Sequence, residues 1–206
     1  MKNIYSNIFS FNKKILHKCI TNLKRGNLVG IPTETVYGLG GNAYSKAAVK
    51  KIYYLKKRPK KNPLIIHYYD LSRTSKDIKI DNDLVKLYKK LCPGPITFVV
   101  KKKKSSKISN LSTAKLNTVA VRFPSNKKTR IILKKLNFPL AIPSANKSSG
   151  VSPVNAKDVA EEFRNKLKII IDGGDAKFGL ESTVIDLTNK ARILRPGVIG
   201  NIKISK

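Results

Sequence analysis

Between Asn12 and Lys24 the apolar residues Ile15, Leu16, Cys19, Ile20 and Leu23 recur at three- and four-residue steps. That spacing predicts an amphipathic helix, with Gly26 as its stop. Residues 1–10 predict a short strand or an irregular arm. Leu28-Val29-Gly30-Ile31 predicts a buried strand ended by Pro32, and Thr33–Asn42, with glycines at 38, 40 and 41, a loop. A second helix is expected over Lys46–Lys57, and a strand over Pro63–His67 whose last residue projects beyond the sheet. Helix Asp83–Leu91 runs into the turn Pro93-Gly94-Pro95, then strand Ile96–Val100 and a basic loop over Lys101–Lys107. Thr118–Phe123 alternates, with Val119 and Val121 on one face and Thr118 and Arg122 on the other. Beyond it the pattern predicts helix Thr129–Leu136, strand Leu140–Ile142, a Ser/Asn/Gly segment over 144–152, helix Ala156–Lys166 and strand Lys168–Asp172. Strands Ser182–Leu187 and Arg192–Arg195 close the chain. Helices and strands alternate, yet some strands follow one another directly. The expected fold is therefore α/β, an open, twisted, mixed sheet with flanking helices. Neither a repeat nor a linker divides the 206 residues, so one domain is expected over 1–206.

Composition changes this picture in one respect. The formal net charge is +31, from 43 basic and 12 acidic residues. Such a chain attracts nucleic acid, anionic lipid or phosphate-bearing ligands. Only eight of the basic residues are arginine, and a lysine flood spread along the chain also follows from an A/T-rich genome. The scarce arginines and acids are thus the more informative charges. Cys19 and Cys92 lack metal-ligand spacing and are expected reduced, in a cytosolic protein. With two histidines, His17 and His67, a multi-histidine metal site is excluded. No apolar run reaches the roughly 18–20 residues that span a bilayer, so no membrane partner is expected. The first dozen residues do not form a secretory signal but leave an organellar presequence open.

The common nucleotide fingerprints are missing: there is no Gly-x4-Gly-Lys-Ser/Thr and no Gly-x-Gly-x-x-Gly after a strand. No Gly-x-Ser-x-Gly elbow or carboxylate pair points to a hydrolase. What recurs instead is polar and basic residues just after apolar strands, where open α/β sheets bind ligands. Lys56 and Arg58 can hold phosphate oxygens as a point charge and a fork; read alone, they equally complement a helix C-terminus. Ser144-Ala145-Asn146 opens a loop able to wrap phosphate or ribose, or forms an ordinary turn. Arg122, among apolar neighbours, can clamp a substrate carboxylate or pair with a structural acid such as Asp186. His67 is a core residue or a donor in a pocket. Glu181-Ser182-Thr183 presents hydroxyls to a ligand or caps a turn.

Taken together, these segments resemble the YrdC/Sua5 family, the threonylcarbamoyl-AMP synthases. The matching text is Pro32-Thr33-Glu34-Thr35-Val36-Tyr37-Gly38-Leu39-Gly40, Lys56-x-Arg58-Pro59, Asn62-Pro63-Leu64-Ile65-Ile66-His67 and Pro93-Gly94-Pro95-x-Thr97. It continues with Thr118-Val119-Ala120-Val121-Arg122, Pro143-Ser144-Ala145-Asn146, Ser152-Pro153, Asp172-Gly173-Gly174, Glu181–Asp186 and Arg195-Pro196-Gly197, in one order across residues 26–200. The resemblance implies a large basic concave face on the sheet. It also implies condensation of L-threonine, bicarbonate and ATP to threonylcarbamoyl-AMP and pyrophosphate. That product feeds the t6A modification of adenosine 37 in tRNA through partner proteins. The family's catalytic tetrad falls on Lys56, Arg58, Ser144 and Asn146. ATP contacts fall on Arg58, Asn62, Thr118, Ser144, Ser152 and Arg195, and threonine contacts on Thr35, His67, Arg122, Ile142 and Ser182. Mg²⁺ is expected to ride on the ATP phosphates. The chain resembles the short form, without the further C-terminal domain of longer members. Two other classes stay open: a tRNA or double-stranded RNA binder without catalysis, and a carbamoyl-transfer enzyme of the same fold.

Overall fold

The computed structural model describes residues 3–148 and 150–200. The elements are β1 (Ile8–Ser10), α1 (Lys13–Lys24), β2 (Val29–Ile31), β3 (Gly38–Asn42), α2 (Lys46–Lys56), β4 (Ile65–His67), α3 (Asn82–Leu91) and β5 (Ile96–Lys101). They continue with β6 (Thr118–Arg122), α4 (Lys127–Lys135), β7 (Leu140–Ala141), α5 (Ala156–Phe163), β8 (Ile170–Asp172), β9 (Thr183–Asp186) and β10 (Arg192–Arg195). Ten strands form one mixed sheet in the order β1-β8-β2-β3-β7-β4-β6-β5-β9-β10. Pairs β4/β6 and β5/β9 are parallel, while β2/β3, β3/β7 and β5/β6 are antiparallel. This is the expected fold class. None of the described helices is long and apolar enough to cross a membrane.

Each helix starts at a side-chain cap that satisfies an orphan N–H. Asn12 caps α1, Ser45 α2, Asp81 α3 and Asn126 α4; Asn155 and Asp158 form a reciprocal capping box on α5. Several boundaries move from expectation by two or three residues: α4 begins at Lys127, α5 ends at Phe163, where a single 3₁₀ turn takes over, and β4 and β8 begin at Ile65 and Ile170. The larger difference is Gly38–Asn42, expected as a loop and found as strand β3, paired on both sides. Its glycines weaken strand propensity but permit close approach. A Cβ on Gly38 would lie 2.1 Å from Ile142 Cγ2, and one on Gly40 2.4 Å from Ile31 Cδ1.

The sheet is covered unequally, and that places the site. On one face Leu39, Ile66, Phe98, Val119, Val121 and Ile185 are buried together with Val49 and Ile52 of α2 and Val159 and Phe163 of α5. On the other, Val29, Ile31, Leu140 and Ile171 pack against Cys19 and Leu23 of α1 and Ile132 and Leu133 of α4. Direct cross-strand partners share a face, so the register puts Ile65, His67, Ala120, Arg122, Thr97, Val99 and Val184 on this second side. There Ile65, Val99, Ala120 and Val184 are only half-buried. Helices cover this face over one half of the sheet and leave it open over β4, β6, β5 and β9.

Candidate active site

At the boundary between the covered and open halves lies a cavity of about 90 Å³. His67 ends β4 and Arg122 ends β6, in direct register on parallel strands. Both line the cavity, with Thr33 and Thr35 from the β2–β3 connection, Ser144 after β7, Ser182 just before β9 and Arg195 at the end of β10. Thr33 and Arg195, 162 positions apart in sequence, converge there.

Arg122 is 5% exposed. One of its terminal amino groups donates to Glu34 Oε1 at 2.7 Å and to Thr35 Oγ1 at 2.8 Å. The expectation of Asp186 as the structural acid is corrected: Asp186 accepts from Thr188 and Arg192, and Glu34 is the partner of Arg122. The other Glu34 oxygen accepts from the backbone N–H groups of Ser125 and Asn126, at the start of α4. Glu34 thereby ties Arg122 to a rigid helix end, and its orientation is fixed before any ligand arrives. Arg122 Nε is buried with no partner among the described residues. A buried donor without an acceptor costs about 1–3 kcal/mol, so an anion reaching it recovers that loss.

Thr35 can be counted the same way. The Thr33 hydroxyl donates to the Val36 carbonyl, so the 2.8 Å contact between the two threonines requires Thr35 to be its donor. Since Thr35 also accepts from Arg122, only an acceptor lone pair is left for a ligand.

His67 supplies the opposite polarity. Its Nδ1 lies 3.2 Å from the Ile65 carbonyl, an atom that can only accept, so Nδ1 carries the proton. Nε2 is then an acceptor, buried and without a partner among the described residues. Burial first, and the neighbouring Arg122 guanidinium second, push the His67 pKa well below the usual 6.5. The ring is therefore neutral at physiological pH. In the unfolded chain it titrates normally, so below pH 6.5 the unfolded state binds more protons and folding stability falls as pH drops. Denaturation of the protein and of His67→Gln from pH 7.5 to 5 checks this. Only the parent should show the additional loss below pH 6.5, and parallel profiles would remove the assignment.

The two sequence clusters meet. Lys56 is 1% exposed at the end of α2, and its ammonium donates to the Ser144 carbonyl at 2.6 Å, to the Asn146 carbonyl, and to Asn146 Oδ1 at 3.4 Å. In this structure the charge of Lys56 is spent on loop 144–146. Burial, and secondly the Arg58 charge, lower its pKa from 10.5 to about 8. The Asn146 amide donates to the Gly150 carbonyl and closes that loop. Arg58 lines the cavity; Nε and one amino group are held by the carbonyls of Asn62 and Pro63, and the other amino group has no described partner. Arg195 is braced by Glu181 and by the Ser182 carbonyl at 2.8 Å. The Ser182 hydroxyl contacts Thr97 Oγ1 at 2.8 Å.

Of the remaining expected contacts, Ile142 lines this cavity, and Thr118, Asn62 and Ser152 do not. Thr118 sits on the open face at the far end of β6 from Arg122, about 13 Å along the strand at roughly 3.3 Å per residue. Asn62 is exposed and uses its carbonyl to hold Arg58. Ser152 lines a separate hollow of about 710 Å³ against α5, shared with Asn146. The residue that sequence reading passed over is Glu34. It lies inside the Pro32–Gly40 segment, where the sequence alone gives it no role. The available signal was an acid flanked by Thr33 and Thr35, just after Pro32, in a chain with 12 acids.

A family model described as "Telomere recombination", Sua5/YciO/YrdC, matches residues 21–197. A threonylcarbamoyl-AMP synthase of Pyrococcus abyssi is 44% identical over 195 residues, spanning 88% of this chain and 56% of that protein. One of Bacillus subtilis is 38% identical over 195 residues, spanning 89% of this chain and 56% of that protein. The crystal structure of P. abyssi Sua5 complexed with L-threonine superposes with a TM-score of 0.87 at 41% identity, covering 92% of this chain and 57% of that chain. The chain spans a little over half the length of these relatives.

Proposed function

The chain belongs to the Sua5/YciO/YrdC family, and from that premise we propose that it condenses L-threonine, bicarbonate and ATP to threonylcarbamoyl-AMP and pyrophosphate, for t6A modification of tRNA. One observation carries the reading. His67 and Arg122 line one small cavity, in direct register on neighbouring strands, and each carries a buried side-chain nitrogen without a partner among the described residues: Arg122 Nε, a donor, and His67 Nε2, an acceptor. A ligand that satisfies both must hold a carboxylate and an N–H or O–H donor close together, which is the polar end of a hydroxyl-bearing amino acid. Arg122 holds the carboxylate; His67 and the free lone pair of Thr35 accept from the amine and hydroxyl.

In the first step the threonine nitrogen bonds to the carbon of bicarbonate, with loss of water, to give an N-carboxylate. The attacking amine must be neutral. The acids nearest the cavity, Glu34 and Glu181, are already paired with Arg122 and Arg195. Arginines 58, 122 and 195 therefore face the ligand without a free carboxylate to stabilise an ammonium, which favours the neutral amine. In the second step a carbamate oxygen bonds to the α-phosphorus of ATP as the bond to the pyrophosphate oxygen breaks. The substrate supplies the nucleophile, so the protein's task is to hold two anions together and stabilise the charge on departing pyrophosphate. The free edge of Arg58, with Arg195, suits that task. Lys56 acts through the loop it anchors, fixing Ser144 and Asn146. Magnesium enters on the phosphates, since it often uses few protein ligands.

The test is pyrophosphate release from ATP and bicarbonate with each of the common amino acids in turn. Threonine should give the fastest release. Equal rates across amino acids, or release without bicarbonate, defeat the proposal.

A further inference from the structure

Acids are distributed unevenly along this chain. None occurs between Glu34 and Asp70, and none between Asp83 and Asp158. These stretches contribute α2, the connection from α2 to β4, and the connection from β5 to β6. In the fold they enclose an open groove of about 840 Å³ on the outer side of α2. Tyr53, Tyr54, Leu111 and Ala114 line it as an apolar floor, and its rim carries Lys46, Lys50, Lys60, Lys61 and Lys115. Among the described residues, none of these five lysines is in a salt bridge. Lysine abundance explains many cations; it does not explain a face from which acids are excluded and on which an aromatic ring is left bare.

Tyr54 is that ring, 80% exposed. Lys46, Lys50 and Tyr54 stand four residues apart on one helix, so they form a single row with steps of about 6 Å. A positive track that carries a stackable ring is the arrangement that binds single-stranded nucleic acid: lysines follow the phosphates and the ring takes a base face. A duplex would leave the ring unused, because its bases are already stacked. Arg58 lines both this groove and the active-site cavity, so a strand in the groove ends one side chain from the chemistry.

We propose that this groove is a docking site for single-stranded RNA, with one base stacked on Tyr54 and flanking phosphates on the lysine rim. It stands independently of the condensation chemistry, because binding is measured without ATP or threonine.

The experiment is fluorescence anisotropy of an end-labelled, unstructured 12-nucleotide RNA across a salt series. Tyr54→Ala should weaken binding about tenfold, within the range for loss of one base–aromatic stack, while Tyr54→Phe keeps it. The ring is exposed, so these variants should fold as the parent does. The double variant Lys50→Gln/Lys61→Gln should lower the slope of log affinity against log salt by about 1.4, the single-strand value for two lost phosphate contacts. Unchanged affinity in Tyr54→Ala overturns the proposal and leaves diffuse surface charge as the cause. Equal weakening toward a blunt duplex of the same length also overturns it. So does equal weakening toward polyglutamate, which would assign the groove to an acidic polypeptide.

Discussion

Arg122→Met should lower kcat/KM for threonine by about 10²–10³-fold, the scale for losing a preorganised charged donor. It should also destabilise the fold by about 3–5 kcal/mol, because Glu34 is left as a buried, uncompensated charge. The two effects separate in a second variant. In Glu34→Gln/Arg122→Met neither charge of this pair remains, and the Gln side-chain oxygen can still accept from Ser125 or Asn126 N–H. Most of the lost stability should return and none of the turnover. Glu34→Gln alone asks whether the ion pair positions Arg122. It keeps the guanidinium but releases its anchor, so KM for threonine should rise while KM for ATP holds. Turnover of folded Arg122→Met within tenfold of the parent would show that Arg122 does not hold the substrate carboxylate. An unchanged threonine KM in Glu34→Gln would reduce Glu34 to a helix cap.

Much of this arrangement was legible before any coordinates, for a definite reason. Period-two and period-3.6 patterns report burial against one large sheet, so the helices and most strands were readable. Register did the rest locally: Val119 and Val121 inward already implied Thr118 and Arg122 on the opposite face. Strand β3 was not legible. Its glycines lower strand propensity, and their value appears only when Ile142 and Ile31 are seen pressed against them. The partner of Arg122 was not legible either. Asp186 and Glu34 were equally available acids in sequence, and only the crossing of the β2–β3 connection over the end of β6 brings Glu34 within 2.7 Å. On local sequence Lys56 is either a point charge for phosphate or a complement to the helix C-terminus, and only the family resemblance points it to a ligand. The fold turns its ammonium inward, onto loop carbonyls 88 and 90 positions away. Sequence gives donors and acceptors by type; which of them are already spent is a property of the tertiary structure.

That inward turn gives Lys56 two pH signatures of opposite sign. Its pKa falls from 10.5 to about 8 on folding. Between those values the unfolded chain holds the proton and the folded protein has released it, so stability rises with pH across that window. Below pH 8 both states are protonated and the cost of burying the charge is present in full. Activity should move the other way. The ammonium has three protons to share among the Ser144 carbonyl, the Asn146 carbonyl and Asn146 Oδ1, and a neutral amine has two. Loop 144–146 then loses a donor and the site loses a positive charge, so kcat/KM should fall above about pH 8. The threonine amine cannot produce this limb, because its deprotonation raises the rate. Lys56→Met should remove the alkaline limb and the rise in stability together. It should also lower turnover at pH 7.5 by about 10²-fold or more, since the loop's orientation and a cation are lost at once. The stability cost should be about 1–3 kcal/mol for each carbonyl left unsatisfied, offset by no longer burying a charge. Rate and denaturation profiles of both proteins from pH 7 to 10.5 decide the matter. A parent activity profile that is flat above pH 8, or an alkaline limb that persists in Lys56→Met, would place the titrating group elsewhere.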